Sequence, residues 1–133
     1  MTGVQTCALP ISSNRTRELH DALKRRALFH WIGHPSIERE IEIVKVRVPE
    51  AADRLAIEAA AFVRELRGLD LAKPPGVAET IDWTMALNAL GRQEIDAEVV
   101  QQTLGSILKY REDIEAVRDE TLQGLVDKAR STV

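Results

Sequence analysis

The triplet Pro74-Pro75-Gly76 can continue neither a helix nor a strand. It divides a chain whose apolar residues otherwise recur at helical spacing. Before it, Ile37, Ile41, Val44 and Val48 fall three and four apart, as do Leu55, Ala59, Phe62 and Leu66. After it, Val77, Ile81, Trp83, Leu87 and Leu90 are apolar on more than one side, which makes this third helix central. Val100, Leu104, Ile107 and Leu108 form a fourth stripe. The punctuation agrees with the stripes. Ser36 can cap the first helix, with Glu38 and Glu40 favoured by the helix dipole. Pro49 is expected to open the second and Gly68 to follow its end as the C′ residue. Gly91 ends the third helix, and Asp96 is a good cap for the fourth.

Two stretches are less decided. Ile41, Ile43, Val46 and Val48 partly alternate, so a strand competes with the first helix; helix is favoured. Tyr110 to Asp113 reads as a polar interval, and Ile114 to Ala129 either continues the fourth helix or starts another. The expectation is four or five helices. Residues 12–34 read differently: a strand end, a loop, a short helix, and then a buried strand (LFHWI, 28–32) stopped by Gly33-His34-Pro35. Two strands without a sheet cannot bury their own faces, so this piece looks like the end of an α/β unit. Trp31 and Trp83 lie on apolar faces and are expected in the core.

Composition sets outer limits. The 133 residues suit one domain of ordinary size, 44% hydrophobic and 29% charged. No apolar run approaches the ~20 residues that span a bilayer. Residues 12–49 carry eight Lys/Arg and five Asp/Glu, net +3; residues 50–133 carry ten and sixteen, net −6. A basic head joined to an acidic tail fits a phosphate-facing segment on a solvated helical module.

Thr2 to Ile11 (TGVQTCALPI) matches, codon for codon, the translation of a common short-read sequencing adapter. There is no basic n-region or apolar h-region of a signal peptide. Residues 1–11 are therefore expected to be an artefact, with natural sequence from near Ser12. Cys7, the single cysteine, falls in that stretch. The rest has no thiol, which accords with a reducing cytoplasm and excludes disulfide and Cys–zinc chemistry. His20, His30 and His34 fall in different contexts, with no carboxylate at a recognisable ligand spacing, and no metal site is expected.

The densest basic stretch is residues 12–26, SSNRTRELHDALKRR, with Arg15, Arg17, Lys24, Arg25 and Arg26 following Asn14. An amide at a strand end and arginines at a helix end suit contact with nucleotide phosphates. ATP hydrolysis needs phosphates held, a metal placed, a water oriented and developing charge neutralised. The holding loop ends in Gly-Lys-Ser/Thr. None of the seven glycines is followed by Lys, so only the later duties remain.

This segment resembles the sensor-1 to arginine-finger region of MoxR-type AAA+ ATPases. LFHWIGHP (28–35) looks like that family's strand leading into the lid. KPPGVAETIDW (73–83) and LGSILKYRED (104–113) look like the lid of the subgroup linked to maturation of molybdenum–copper carbon monoxide dehydrogenase. The likeness spans residues 12–113. It implies the end of an α/β ATPase core at 12–34, a helical lid at 35–113 and a helical tail at 114–133. It also implies a fragment, without Walker A or B, of a cytoplasmic, hexameric, ATP-driven chaperone-like remodelling protein. In that reading Asn14 is sensor 1, and Arg25, or the neighbouring Arg26, is the finger that reaches the next subunit. Glu79 and Thr80 lie where the lid meets nucleotide. ATP and Mg2+ serve the intact parent, and the piece alone retains neither tightly. The implied partners are a second copy, a von Willebrand factor A domain protein and a metalloenzyme client, with neither membrane nor nucleic acid. One departure stands out: residues 76–80 contain no Arg where many members place sensor 2, and Arg92 falls after the helix. The alternatives are a small helical nucleic-acid-binding module, touching phosphate through Arg15 to Arg26, or a helical protein-interaction module. The net charge of −3 opposes the first; the second leaves residues 12–26 without a reason. Amplification of the locus from source DNA is expected to give unrelated codons upstream of Ser12. Recovery of the same eleven codons there would end the adapter reading.

Overall fold

The computed structural model describes residues 33–118 and 120–132. Asn14, Arg25, Arg26, the 28–32 strand, Trp31, His20 and His30 lie outside the described residues. From His34 onward the chain forms one compact unit. It holds six helices: α1 Ile37–Arg47, α2 Asp53–Arg67, α3 Val77–Ala89, α4 Ala97–Ile107, α5 Arg111–Ala116 and α6 Glu120–Arg130. No strand occurs among the described residues. The unit is mainly α, as expected, with one or two helices more than the apolar stripes indicate. No helix among the described residues is long and apolar enough to cross a membrane.

The competition at 37–48 resolves to helix. The Ser36 side chain accepts the Arg39 N–H at 3.2 Å, and acids in the first turn and bases in the last suit the dipole. The helix stops where Pro49 disfavours the α conformation at Val48. Pro49 does not open α2, however. Val48 is 3% exposed and packs with Val44, Ala56 and Ile81, so the chain turns through 49–52 to keep it inside. The first helical bond of α2 is Ala56 N–H to Ala52 O.

Helix α2 packs against α1, α3 and α6, and nine of its fifteen residues are buried. Four of those nine are alanines, small enough to let neighbouring helices approach. Helix α3, expected to be central, packs on α1, α2 and α4 but leaves Met85 and Leu90 exposed. The main core joins Leu55, Phe62 and Leu66 to Trp83, Leu87, Val100 and Leu104. Trp83 is fully buried, its ring 5.4 Å from that of Phe62, and its indole N–H donates to Thr103 Oγ1 at 2.8 Å.

Helix ends carry the next differences. Gly91, at φ 76°, closes α3 with Arg92 N–H on Leu87 O and Gly91 N–H on Asn88 O, a Schellman pair of bonds. Gly68 is not a left-handed C′ residue. It caps α2 at φ −77°, and the chain tightens through bonds three residues long. In the polar interval 110–113, Tyr110 is the N-cap and Arg111 to Asp113 begin α5. Asp113 accepts the N–H groups of Ala72 and Lys73 at 2.8 and 3.0 Å, which ties α5 to the Pro-Pro-Gly segment. The 114–129 stretch breaks at Val117, buried at the end of α5.

Two substitutions test this packing by urea unfolding. Trp83→Ala should cost about 3–5 kcal/mol, as a large core side chain lost with its hydrogen bond. Gly91→Ala should cost about 1–2 kcal/mol, since Cβ opposes the positive φ.

Candidate functional site

The chain enters the helical unit beside a cleft of about 290 Å3 between the start of α1 and the last turns of α2. Ser36, Glu38 and Glu40 border it from one side, Arg64 and Arg67 from the other, with His34 at the rim. Its polar floor is an ion pair. Arg67 grips Glu40 through both terminal nitrogens, at 2.6 and 3.0 Å, and its Nε–H donates to Pro75 O at 2.7 Å. Glu40 is 1% exposed. Its Oε2 also accepts the hydroxyl of fully buried Thr80 at 2.7 Å.

Helix geometry accounts for the meeting of the three. Glu40 is four residues before Val44, so it projects from the inner side of α1. Arg67 ends α2, where a cation is favoured by the dipole. Thr80 occupies the first turn of α3, directly after the triplet that breaks the chain. The planar guanidinium matches the carboxylate two bonds at a time. Such a pair gives little net stability over apolar packing, but losing one member leaves a buried charge unpaired.

The family resemblance implies Glu79 and Thr80 as nucleotide contacts, the other reading being plain helix-start residues. Glu79 accepts the Gly76 N–H at 2.9 Å, one half of a capping box. Thr80 turns toward Glu40, inside the unit. Sequence reasoning did not group Arg67 with Glu40 and Thr80; the one signal for it was a carboxylate in register with Val44 and Val48. Arg92, considered as a replacement cation, pairs with Asp96 at 3.1 Å. It lies past the far end of α3, about 20 Å of helix from Gly76.

A second buried carboxylate, Glu58, accepts the Ile95 N–H at 3.3 Å. Arg54 and Arg130 approach it at 3.4 and 3.6 Å, and both also reach Glu94. This network joins α2, the segment before α4, and α6. It ties these three parts of the bundle together. His34 is exposed, and no group of three metal-ligating side chains occurs among the described residues.

Of the two clusters, only the first combines a cavity, cations and an exposed helix start. The four charged side chains that line it, Glu38, Glu40, Arg64 and Arg67, balance in sign. Comparison with protein-family models, curated proteins and solved structures gave no match to the chain.

Removing Arg67 should be far more costly than removing an exposed arginine. Arg67→Ala is expected to lower unfolding free energy by about 3–5 kcal/mol, because Glu40 keeps its burial without its partner. Urea titration against Arg111→Ala, an exposed control expected within about 0.5 kcal/mol, checks it.

Proposed function

We propose that this chain is the sensor-1, arginine-finger and lid portion of a MoxR-type AAA+ ATPase, a ring-forming remodeller that assists metalloenzyme maturation. The observation that carries this reading is the order of its motifs: SSNRTRELHDALKRR, LFHWIGHP, KPPGVAETIDW and LGSILKYRED follow one another as the family's sensor, finger, lid entry and lid segments do. The helical unit is of the class a lid requires. The second and third of those motifs also border or adjoin one cleft: His34 and Pro35 line it, and Pro75 holds Arg67 beneath it.

In this reading the chemistry is divided. Asn14 bridges the γ-phosphate and the attacking water. Arg25 reaches from one subunit to the nucleotide of the next and neutralises charge as the phosphoryl group departs; arginine fingers contribute roughly 10³–10⁵ in rate. Arg26 is the near alternative. The chain has no Gly-Lys-Ser/Thr loop, so its residues do not fit the β- and γ-phosphates together with Mg2+, and no step is assigned to the metal. ATP and Mg2+ belong to the assembled parent. The proposed partners are further copies in a hexamer, a von Willebrand factor A domain protein and a metalloenzyme client, in the cytoplasm.

In an intact parent, Arg25→Ala should abolish hydrolysis while ATP binding persists, read by phosphate release and by nucleotide retention. Wild-type turnover by that variant would refute the finger assignment. A reading frame upstream of Ser12 without a phosphate-binding loop would refute the class.

A further inference from the structure

We infer that α6 is a releasable closure of the bundle: it detaches and unwinds while α1 to α5 stay folded, and the Arg130 guanidinium is the catch that holds it shut. The inference goes beyond the ATPase reading and does not depend on it.

Each of the other five helices shares a hydrogen bond with a distant part of the chain. Glu40, Arg67 and Thr80 join α1, α2 and α3; Trp83 and Thr103 join α3 to α4; Asp113 joins α5 to residues 72 and 73. Among the described residues, the side-chain hydrogen bonds of α6 and the residues after it are local: Gln123 donates to Asp127, and Ser131 and Thr132 donate back to Lys128. An apolar face holds α6 instead, with Leu122, Leu125, Val126 and Ala129 buried against α2 and α4. Cations in its last turn add to this, Lys128 reaching Glu65 at 3.9 Å at the surface. Gly124, in the middle of the helix, has open space where a Cβ would stand, so it weakens the helix without relieving any clash. Eleven residues of this kind do not persist as a helix alone, and release and unwinding are one event.

Arg130 differs from Lys128 in what it meets. Glu58 is fully buried, yet three side chains of its network, Arg54, Glu94 and Arg130, are half-exposed. Arg54 and Arg130 each approach both glutamates, which closes a ring of alternating charge. Arg54 lies one turn before Glu58 on the same helix and accompanies it whether α6 is seated or not. Arg130 arrives only with α6. Seating α6 therefore completes the withdrawal of Glu58 from water, and Arg130 is the cation that offsets the cost. Lifting α6 returns the carboxylate to water. The seated state thus depends on Arg130 far more than it would on an ordinary surface pair.

The test is native-state amide hydrogen exchange on the 133-residue chain, ¹⁵N-labelled and read residue by residue. The amides of Leu125, Val126 and Ala129 should exchange about tenfold or more faster than those of Phe62, Leu87 and Leu104, through an opening that spares α2 to α4. Sodium chloride should speed α6 selectively, by screening the ring. Arg130→Gln should speed α6 about tenfold and leave α3 and α4 unchanged. In a Glu58→Gln background, whose amide oxygen can still accept the Ile95 N–H, the same change should matter about twofold or less, since no buried charge is stranded. Gly124→Ala should slow α6 about fivefold, by its helix propensity alone. Protection of α6 equal to that of the core, loss of protection by α2 to α4 in step with α6, or an effect of Arg130→Gln indifferent to the residue at 58 would overturn the inference. The salt series requires no substitution, and it decides the matter where Glu58→Gln fails to fold: exchange of α6 indifferent to salt would also overturn it.

Discussion

A carboxylate that cannot reach water organises the front of this bundle. Glu40 enters the interior on α1, and its charge is tolerable there because Arg67 of α2 and Thr80 of α3 both arrive to meet it. The requirement is geometric as well as electrostatic. A bidentate pair permits little rotation of either helix, and the third bond to Pro75 O fixes the break in the chain that precedes α3. Three helices and a loop are thus brought into register by one group. Apolar packing of Val44, Val48, Ala56 and Ile81 alone would tolerate several arrangements of the same helices. The ion pair adds a directional contact that such packing lacks, at a cost in desolvation.

The same constraint sets what the adjoining cleft can do. Because Arg67 is committed to Glu40, its charge is cancelled on site, and the charged groups left at the space above it are Arg64 and Glu38, of opposite sign. A nearby arginine with no such commitment is a different chemical object from one locked in place. One side chain preserves the fold and its neighbour one turn away remains adjustable.

Much of the fold was legible because its determinants are local. Ser36 and Asp96 cap their helices through side-chain oxygens three residues from the N–H groups they bind, and both were readable. Gly91 was readable because glycine, lacking Cβ, takes the left-handed angle that closes a helix without steric cost, and it directly follows an apolar helical run. The features that escaped depend on distant partners. The start of α2 is set by the burial of Val48, not by Pro49. Helix α5, too short to persist alone, is held by Asp113 bonding a loop 40 and 41 residues away. Gly68 needed no unusual backbone angle, so its identity misled. The site was less legible than the fold. Glu40 and Arg67 are 27 residues apart, and nothing local pairs them. Glu79 and Thr80 were noticed through the family resemblance alone, and Thr80 lies in the cluster, facing inward to Glu40.

Glu58 extends the theme to the order in which the chain is made. It sits in the middle of α2, yet one of its two cationic neighbours, Arg130, comes from the closing turn of α6. During synthesis from the N-terminus, the carboxylate leaves the ribosome long before that guanidinium exists. Until then the bundle can collapse around its apolar stripes but holds an acid whose surroundings are incomplete. Final consolidation therefore waits for the last helix, and a nascent chain halted just short of it would be compact, yet still open to proteases along α2.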